Sequence, residues 1–148
     1  MTGDSNIDIP SDENCAFCAY LRGDRPYTIL SRERLVAILV TREQRGVSHL
    51  LVVPTRHCQT ILDLADDESA AIMNAIRSAA RAIDLAYRRP GIAIWQNNGI
   101  PAHQTIGHLH FHVAGTLEAG GTDWGEVPEL SLAETEAIAE KLRRADAS

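Results

Sequence analysis

Apolar residues follow two rhythms along the chain. Tyr27–Ser31, Leu35–Thr41 and His49–Pro54 are short runs rich in Val, Ile and Leu, and each predicts a strand. Arg32-Glu33-Arg34 is a charged turn between the first two. Thr41–Ser48 is a polar loop carrying Gly46, and Pro54 stops the third run because it cannot continue a ladder. A helical rhythm follows. Ile72, Met73, Ile76, Ala79, Ala80 and Ile83 recur on one side, with Asn74, Arg77, Arg81 and Asp84 elsewhere. Asp66 or Asp67 can cap this helix, Glu68 suits its positive first turn, and Pro90-Gly91 ends it. Ile92–Gln96 and His108–Ala114 predict a fourth and a fifth strand, with a loop opening at Asn97-Asn98-Gly99. Gly115–Pro128 is a Gly-rich loop. Ser131–Arg144 is a second amphipathic helix, with Ser131 and Glu134 spaced as a capping box. A shorter helical turn covers Ala16–Leu21 and ends at Gly23 and Pro26. Strands adjacent in sequence, with helices between some of them, predict an α+β domain. Its sheet has about five strands, mostly antiparallel, with one long helix and an extra C-terminal helix over 131–144. Residues 1–13 lack apolar periodicity and are expected to form a mobile, disordered tail, leaving 14–148 as a single domain.

Composition narrows the class. The chain has 148 residues, 45% hydrophobic and 23% charged, an ordinary mixture for one globular domain. Twenty acidic residues against fourteen Lys and Arg give a formal net charge of −6. That balance argues against a nucleic-acid polymer as partner, though a small phosphate ligand in a locally positive pocket is compatible with it. The first residues are polar and acidic, unlike a signal peptide, and the longest apolar run, Leu35–Val40, is too short to span a membrane. Three cysteines cannot close a disulfide framework. A reducing, cytoplasmic setting is expected, where Cys15-x-x-Cys18 is open to three readings: a metal half-site, a redox dithiol, or buried thiols.

Six histidines are the unusual count, and four of them fall between His103 and His112. In a strand, His108, His110 and His112 share one face, while Leu109, Phe111 and Val113 face the other way, where a helix can pack. Alternate Cα atoms lie roughly 6.6 Å apart. A row of imidazoles at that spacing can grip a metal through His-x-His, or place a neutral imidazole to attack phosphorus and form a covalent phosphohistidine.

His108-Leu-His110-Phe-His112-Val-Ala resembles the signature of the histidine triad family, His-φ-His-φ-His-φ-φ. The resemblance extends upstream. Asn97-Asn-Gly-Ile-Pro-Ala-His-Gln104-Thr105-Ile-Gly is similar to the family's Asn-x-Gly-x-x-x-Gly-Gln-Ser/Thr-Val-x. His49-Leu-Leu-Val-Val-Pro-Thr-Arg-His57 is similar to its His-x-Leu-Val-Ile-Pro-Lys-x-His, and Cys15-Ala-Phe-Cys18 to the opening of its zinc-bearing bacterial members. Four motifs in order span about residues 14–114, which is far more specific than any one of them. The resemblance implies His110 as the nucleophile that takes a nucleoside-phosphoryl group, and His112 as the residue holding phosphate oxygens. It implies Thr105 near the departing group, Gln104 on the bridging or phosphate oxygens, and Asn97 seating the nucleotide. No catalytic cofactor is required. His112, where the family's nucleotidyltransferases have Gln, favours hydrolysis over transfer to a sugar phosphate.

The same resemblance implies a structural zinc held by Cys15, Cys18, His57 and His108, a complete four-ligand set. Cys58 is expected to be an inert packed thiol, His49 structural, Tyr20 and Tyr27 core or rim residues, and Trp95 packed in the sheet. Two positions depart from the family pattern. His103 stands where Gly is usual. Thr41 stands where an Asp usually accepts ribose hydroxyls, and Thr cannot supply a bidentate carboxylate. The implied partners are a small nucleotide substrate, neither nucleic acid nor membrane, and a second copy of the chain, with Trp124 on the Gly-rich loop reaching the neighbouring site. The expected function is hydrolysis of a nucleoside monophosphate linked through phosphorus, of phosphoramidate or dinucleoside polyphosphate type, through a nucleotidyl-His110 intermediate. The alternatives are a non-catalytic nucleotide sensor on the same fold and a metal-dependent enzyme using His110-x-His112.

Overall fold

The computed structural model describes residues 5–11 and 13–147. One sheet organises it, with strand order β1-β2-β3-β5-β4 and every neighbouring pair antiparallel. The strands are β1 (Ile29–Arg32), β2 (Val36–Val40), β3 (Val47–Pro54), β4 (Ile92–Trp95) and β5 (Phe111–Gly115). The helices are α1 (Ala16–Arg22), α2 (Asp66–Tyr87) and α3 (Leu132–Ala147). The expected α+β sheet and both long helices are therefore present.

Alternation along β2 and β3 explains why both read as continuous apolar runs: each is covered on both faces. Val36, Ile38, Val40, Leu50, Val52 and Val113 pack under Ile72, Ile76, Ala79 and Ile83 of α2 and Ala139 and Leu142 of α3. Ala37, Leu39, Leu51 and Val53 face the opposite side, against Phe17 and Leu21 of α1. That second face carries the site. α3 is tied to β1 by a buried bond between the Thr28 and Thr135 hydroxyls (2.6 Å). Its start is the expected capping box: Glu134 N donates to Ser131 Oγ, and Ser131 N to Glu134 Oε1.

Three local expectations are corrected. The α2 cap is Ala65, not Asp66 or Asp67, and the cap N–H is satisfied by Glu68 reaching back (2.9 Å). Glu68 is buried there and takes a two-pronged bond from Arg56 (2.8 and 2.9 Å), which pins the segment leading to His57 onto the start of α2. Met73, expected on the apolar stripe, is exposed, and Ala75 takes its place. The fifth strand begins at Phe111, not His108. Extending the β3–β5 register beyond Val52↔Phe111 would set Leu109 opposite Pro54. Pro54 has no N–H to give, and its carbonyl instead receives the His108 ring (3.0 Å). Leu109 N turns to Cys58 O (2.6 Å), so residues 108–110 are held by single bonds outside the ladder.

Of the expected tail, residues 1–4 and 12 lie outside the described residues. The Asp8 carbonyl accepts from Ile100 N (2.7 Å), and Ile7 lies against Gly99. Among the described residues, no helix is long and apolar enough to cross a membrane.

Candidate functional site: a four-donor metal group beside a histidine cleft

Cys15 caps α1 and Cys18 lies in its first turn, so one short helix offers two thiols to one point. His57 comes from the segment after β3 and His108 from the bend before β5. Their ligand atoms all lie within 4.8 Å of one another. Cys15 Sγ is 3.4 Å and Cys18 Sγ 3.6 Å from His108 Nδ1; Cys18 Sγ is 3.3 Å and His108 Nδ1 3.2 Å from His57 Nδ1. Metal–ligand bonds of about 2.3 Å to sulfur and 2.0–2.1 Å to nitrogen put tetrahedral edges at roughly 3.6 Å (S–N) and 3.3 Å (N–N). The measured edges agree, so the donor set fits a zinc-sized ion. His108 is prepared for it: Nε2–H donates to Pro54 O, which leaves the Nδ1 lone pair toward the group. Burial lowers the His108 pKa to about 4, keeping the ring a neutral ligand.

His110 and His112 sit just beyond, separated from the metal group by Phe17, whose ring lies 5.6 Å from His108 and 5.2 Å from His110. His110 is 8% exposed. Its Nδ1–H donates to the His108 carbonyl (2.8 Å), so Nε2 holds the lone pair. Burial lowers its pKa, which favours the unprotonated, nucleophilic ring. His112 pairs in the sheet with Leu51 and Trp95, and its ring stacks on the Trp95 indole at 4.6 Å and 4°. Its Nδ1 lies 2.9 Å from His49 Nε2. The proton in that bond follows from the next one. Arg45 N–H donates to His49 Nδ1 (3.1 Å), so His49 carries its hydrogen on Nε2 and donates to His112 Nδ1. The Glu43 carbonyl favours a charged His49, but the Arg45 amide can only donate, and its bond makes Nδ1 the acceptor. His112 is thereby left with Nε2–H. Burial, and then the fields of His110, His49 and Arg45, depress His112 to about 2; burial holds His49 at about 4. One imidazole thus presents a lone pair and the next an N–H donor.

Both rings line a cleft of about 260 Å³. Thr105 and Ile106 form one wall, Thr41, Arg42, Glu43 and Arg45 another, and Phe17, Tyr20, Arg25 and Tyr27 the aromatic end, where Tyr20 and Tyr27 stack at 4.0 Å. Glu129 reaches the cleft from the segment before α3, ion-paired to Arg42 (3.0 Å). Arg45 is likewise paired with Glu43 (3.6 Å), so three Arg against two Glu leave the lining one positive charge in excess, in a chain that is acidic overall.

Residues 22–119 match the HIT domain. The chain belongs to the HIT family. Among its relatives, an adenosine 5'-monophosphoramidase of Schizosaccharomyces pombe is 30% identical over 132 residues, which cover 87% of this chain and 96% of that one. A Hit-like protein from Bartonella henselae shares the fold with TM-score 0.83 and 24% identity, over 92% of this chain and 98% of its own. A zinc-bound histidine triad family protein from Mycobacterium smegmatis does so with TM-score 0.76 and 23% identity, over 93% of this chain and 99% of its own.

Within this HIT domain the motif residues part into two groups. His110, His112 and Thr105 line the cleft; Asn97 and Gln104 do not. Gln104 is buried and spends its carboxamide on the loop, accepting from Gly99 N (2.7 Å) and donating to the carbonyls of Gln59 (2.8 Å) and Ile106 (2.9 Å). The neighbouring Asn98 braces the same loop through Ile61 N and Gln96. His103 has φ +72°, a conformation that explains the family's Gly; its side chain is exposed and outside the cleft lining. Thr41 is buried and its hydroxyl accepts from Glu43 N (3.2 Å). Reasoning from sequence missed His49 as a partner of His112, Trp95 as its stacking surface, and the Arg25, Arg42, Arg45, Glu43 and Glu129 lining. His49 could have been found from its pattern: it alternates with Leu51, so it shares the His112 face.

Proposed function

We propose that this HIT protein, as one of the family's zinc-bearing members, hydrolyses a nucleoside monophosphate linked through phosphorus to a leaving group, of phosphoramidate or dinucleoside polyphosphate type. The observation that carries the reading is the division of protons between the two cleft imidazoles. His110 Nε2 uses its lone pair to form a bond to the α-phosphorus, while the bond to the leaving amine or phosphate breaks in line with it. His112 Nε2–H donates to a non-bridging oxygen as charge builds there. Thr105, on the exposed cleft wall, lies with the departing group, which takes a proton from solvent as it leaves, and the attacking water later returns one. Water then attacks the nucleotidyl-His110 phosphorus, releasing the nucleoside monophosphate and restoring the neutral ring. Gln104 and Asn97 serve this site through the loop that carries Thr105. Cys15, Cys18, His57 and His108 would hold zinc, which would supply a fixed anchor for the bend before β5 that aims His110. The named activity of the Schizosaccharomyces pombe relative supports an adenosine phosphoramidate as the first substrate to try.

The His-x-His metal reading is disfavoured by the same bonds. His112 turns Nε2–H to the cleft, so His110 alone of the pair offers a lone pair there, and among the described residues the only group able to hold a metal through three or more His, Cys, Asp or Glu residues is the Cys15 set. We further propose a cytoplasmic homodimer. β4 lies at the sheet edge with Ile94 exposed, and Trp124 is 73% exposed beside Trp95. Purified protein should release nucleoside monophosphate from adenosine or guanosine phosphoramidates, or from dinucleoside polyphosphates. Tight nucleotide binding without turnover of any of them would establish the non-catalytic reading instead.

A further inference from the structure

His49 enters β3 through an irregularity that the chemistry above does not use. Val47 lies opposite Gly115 and His49 opposite Ala114, so Ser48 is an inserted residue. Its φ is +62°, in the left-handed region where a side chain is strained. Ser48 is buried, and its Oγ has no hydrogen-bond partner among the described residues. The Tyr87 hydroxyl senses it, in that Ser48 opposes the rise in the Tyr87 pKa that burial causes, but the pair does not reach hydrogen-bond geometry. Strain of this kind persists where surrounding bonds over-determine it.

Those bonds come from Gln44. β2 ends at Val40, opposite Leu50, so His49 lies one residue beyond its partner strand. The Gln44 carboxamide takes the strand's place. Nε2 donates to the His49 carbonyl (2.9 Å) and to the Thr41 carbonyl (2.6 Å), and Oε1 accepts from His49 N (2.8 Å). The loop is thereby folded back so that Arg45 N–H meets His49 Nδ1. Gly46 permits the tight return: a Cβ there would lie 2.4 Å from the Gly115 carbonyl oxygen.

We propose that Gln44 and the Ser48 bulge are positioning residues that set the tautomers of His49 and, through it, His112. The consequence is a sign. With Arg45 N–H on Nδ1, His49 donates from Nε2, and His112 shows an N–H to the cleft. Without that amide, His49 is free to carry its hydrogen on Nδ1; His112 Nδ1–H then donates to His49, and His112 turns a lone pair toward the cleft. A lone pair repels a phosphoryl oxygen that an N–H attracts. The catalytic consequence rests on the proposed role of His112, whereas the tautomer assignment stands on geometry alone.

Long-range proton–nitrogen NMR of protein labelled with ¹⁵N in its histidine rings tests both. Wild type at pH 7 should show His49 and His112 each protonated on Nε2. Gln44→Ala should mix the tautomers of both rings and lower kcat on the order of 10²-fold with a smaller change in KM and unchanged metal content. Ser48→Val, whose β-branched side chain resists a positive φ, should lose a similar factor relative to Ser48→Gly, which accepts it. A wild-type spectrum with the proton on His49 Nδ1 overturns the proposal even where a variant does not fold. So does Gln44→Ala with unchanged tautomers and kcat. The expected spectra in a protein that turns over no nucleotide substrate would refute the proposed function while supporting the device.

Discussion

His110 commits one ring nitrogen to the His108 carbonyl and keeps the other for the cleft. His110→Ala removes that second nitrogen and one backbone tether. Turnover should fall on the order of 10⁴-fold or more, with folding and metal content kept; a rate near wild type would reassign the nucleophile. A second expectation concerns His49, which is 1% exposed and held at about 4 by burial. The unfolded chain titrates at about 6.5. Between these values the unfolded state binds the extra proton, so the contribution is fully present above pH 6.5 and is lost as pH falls toward 4, about 3 kcal/mol in all. His112 acts in the same direction. Denaturant unfolding across this range should show a steeper acid loss for wild type than for His49→Gln; equal slopes would mean His49 is charged in the fold. Such residues differed in how legible they were. His110 and His112 stand out because strand alternation alone puts them on one face. His49 acquires its role only from a diagonal across β3 and β5, and from a backbone amide that no residue letter reports.

The elements were legible where one residue type has one local use. The Ser131–Glu134 box starts α3 where expected, and the acidic first turn placed the start of α2, whereas its end at Tyr87 comes three residues before the Pro90 expected to stop it. Expectation failed where a tertiary bond outcompeted a local rule: Pro54 gives its carbonyl to His108, and β5 starts late. α1 is seven residues long, and Phe17 and Leu21 are its main apolar anchors. A helix so short is marginal by itself. Its docking should therefore depend on the thiols it contributes. Purified protein should carry about one zinc per chain. Cys15→Ser should lose the metal, lower the melting temperature and reduce turnover indirectly. Metal-free protein with readily titrated thiols, and activity unchanged by chelation, would leave α1 held by packing alone.

For the molecule as a whole, the sheet ends at β1 and β4, and the HIT match stops at residue 119. The following segment is bound to the cleft wall: Asp123 N donates to Arg45 O (2.7 Å), and the Arg45 guanidinium to the carbonyls of Asp123 and Gly125. Trp124 thus leans on Trp95, at 5.5 Å, behind the ring that stacks on His112. A Trp this exposed has apolar surface left to cover. Light scattering at micromolar concentration should give twice the 16.2 kDa chain mass. Trp124→Ala should raise KM more than it lowers stability. A fully active monomer, with KM unchanged in the variant, would return Trp124 to packing on its own β4. Composition alone could not reveal this arrangement, because a Gly-rich loop reads as irregular until its backbone partners are known.

The central claim is a covalent bond between His110 and the phosphorus of the substrate. Wild-type protein mixed with an adenosine phosphoramidate, and quenched within a turnover into alkaline denaturant that spares the P–N bond, is digested and read by mass spectrometry. One added adenylyl group is expected on the peptide carrying His110, decaying as adenosine monophosphate appears and absent in His110→Ala. Turnover at the same rate with no adduct at any time, or an adduct on another residue, would contradict it.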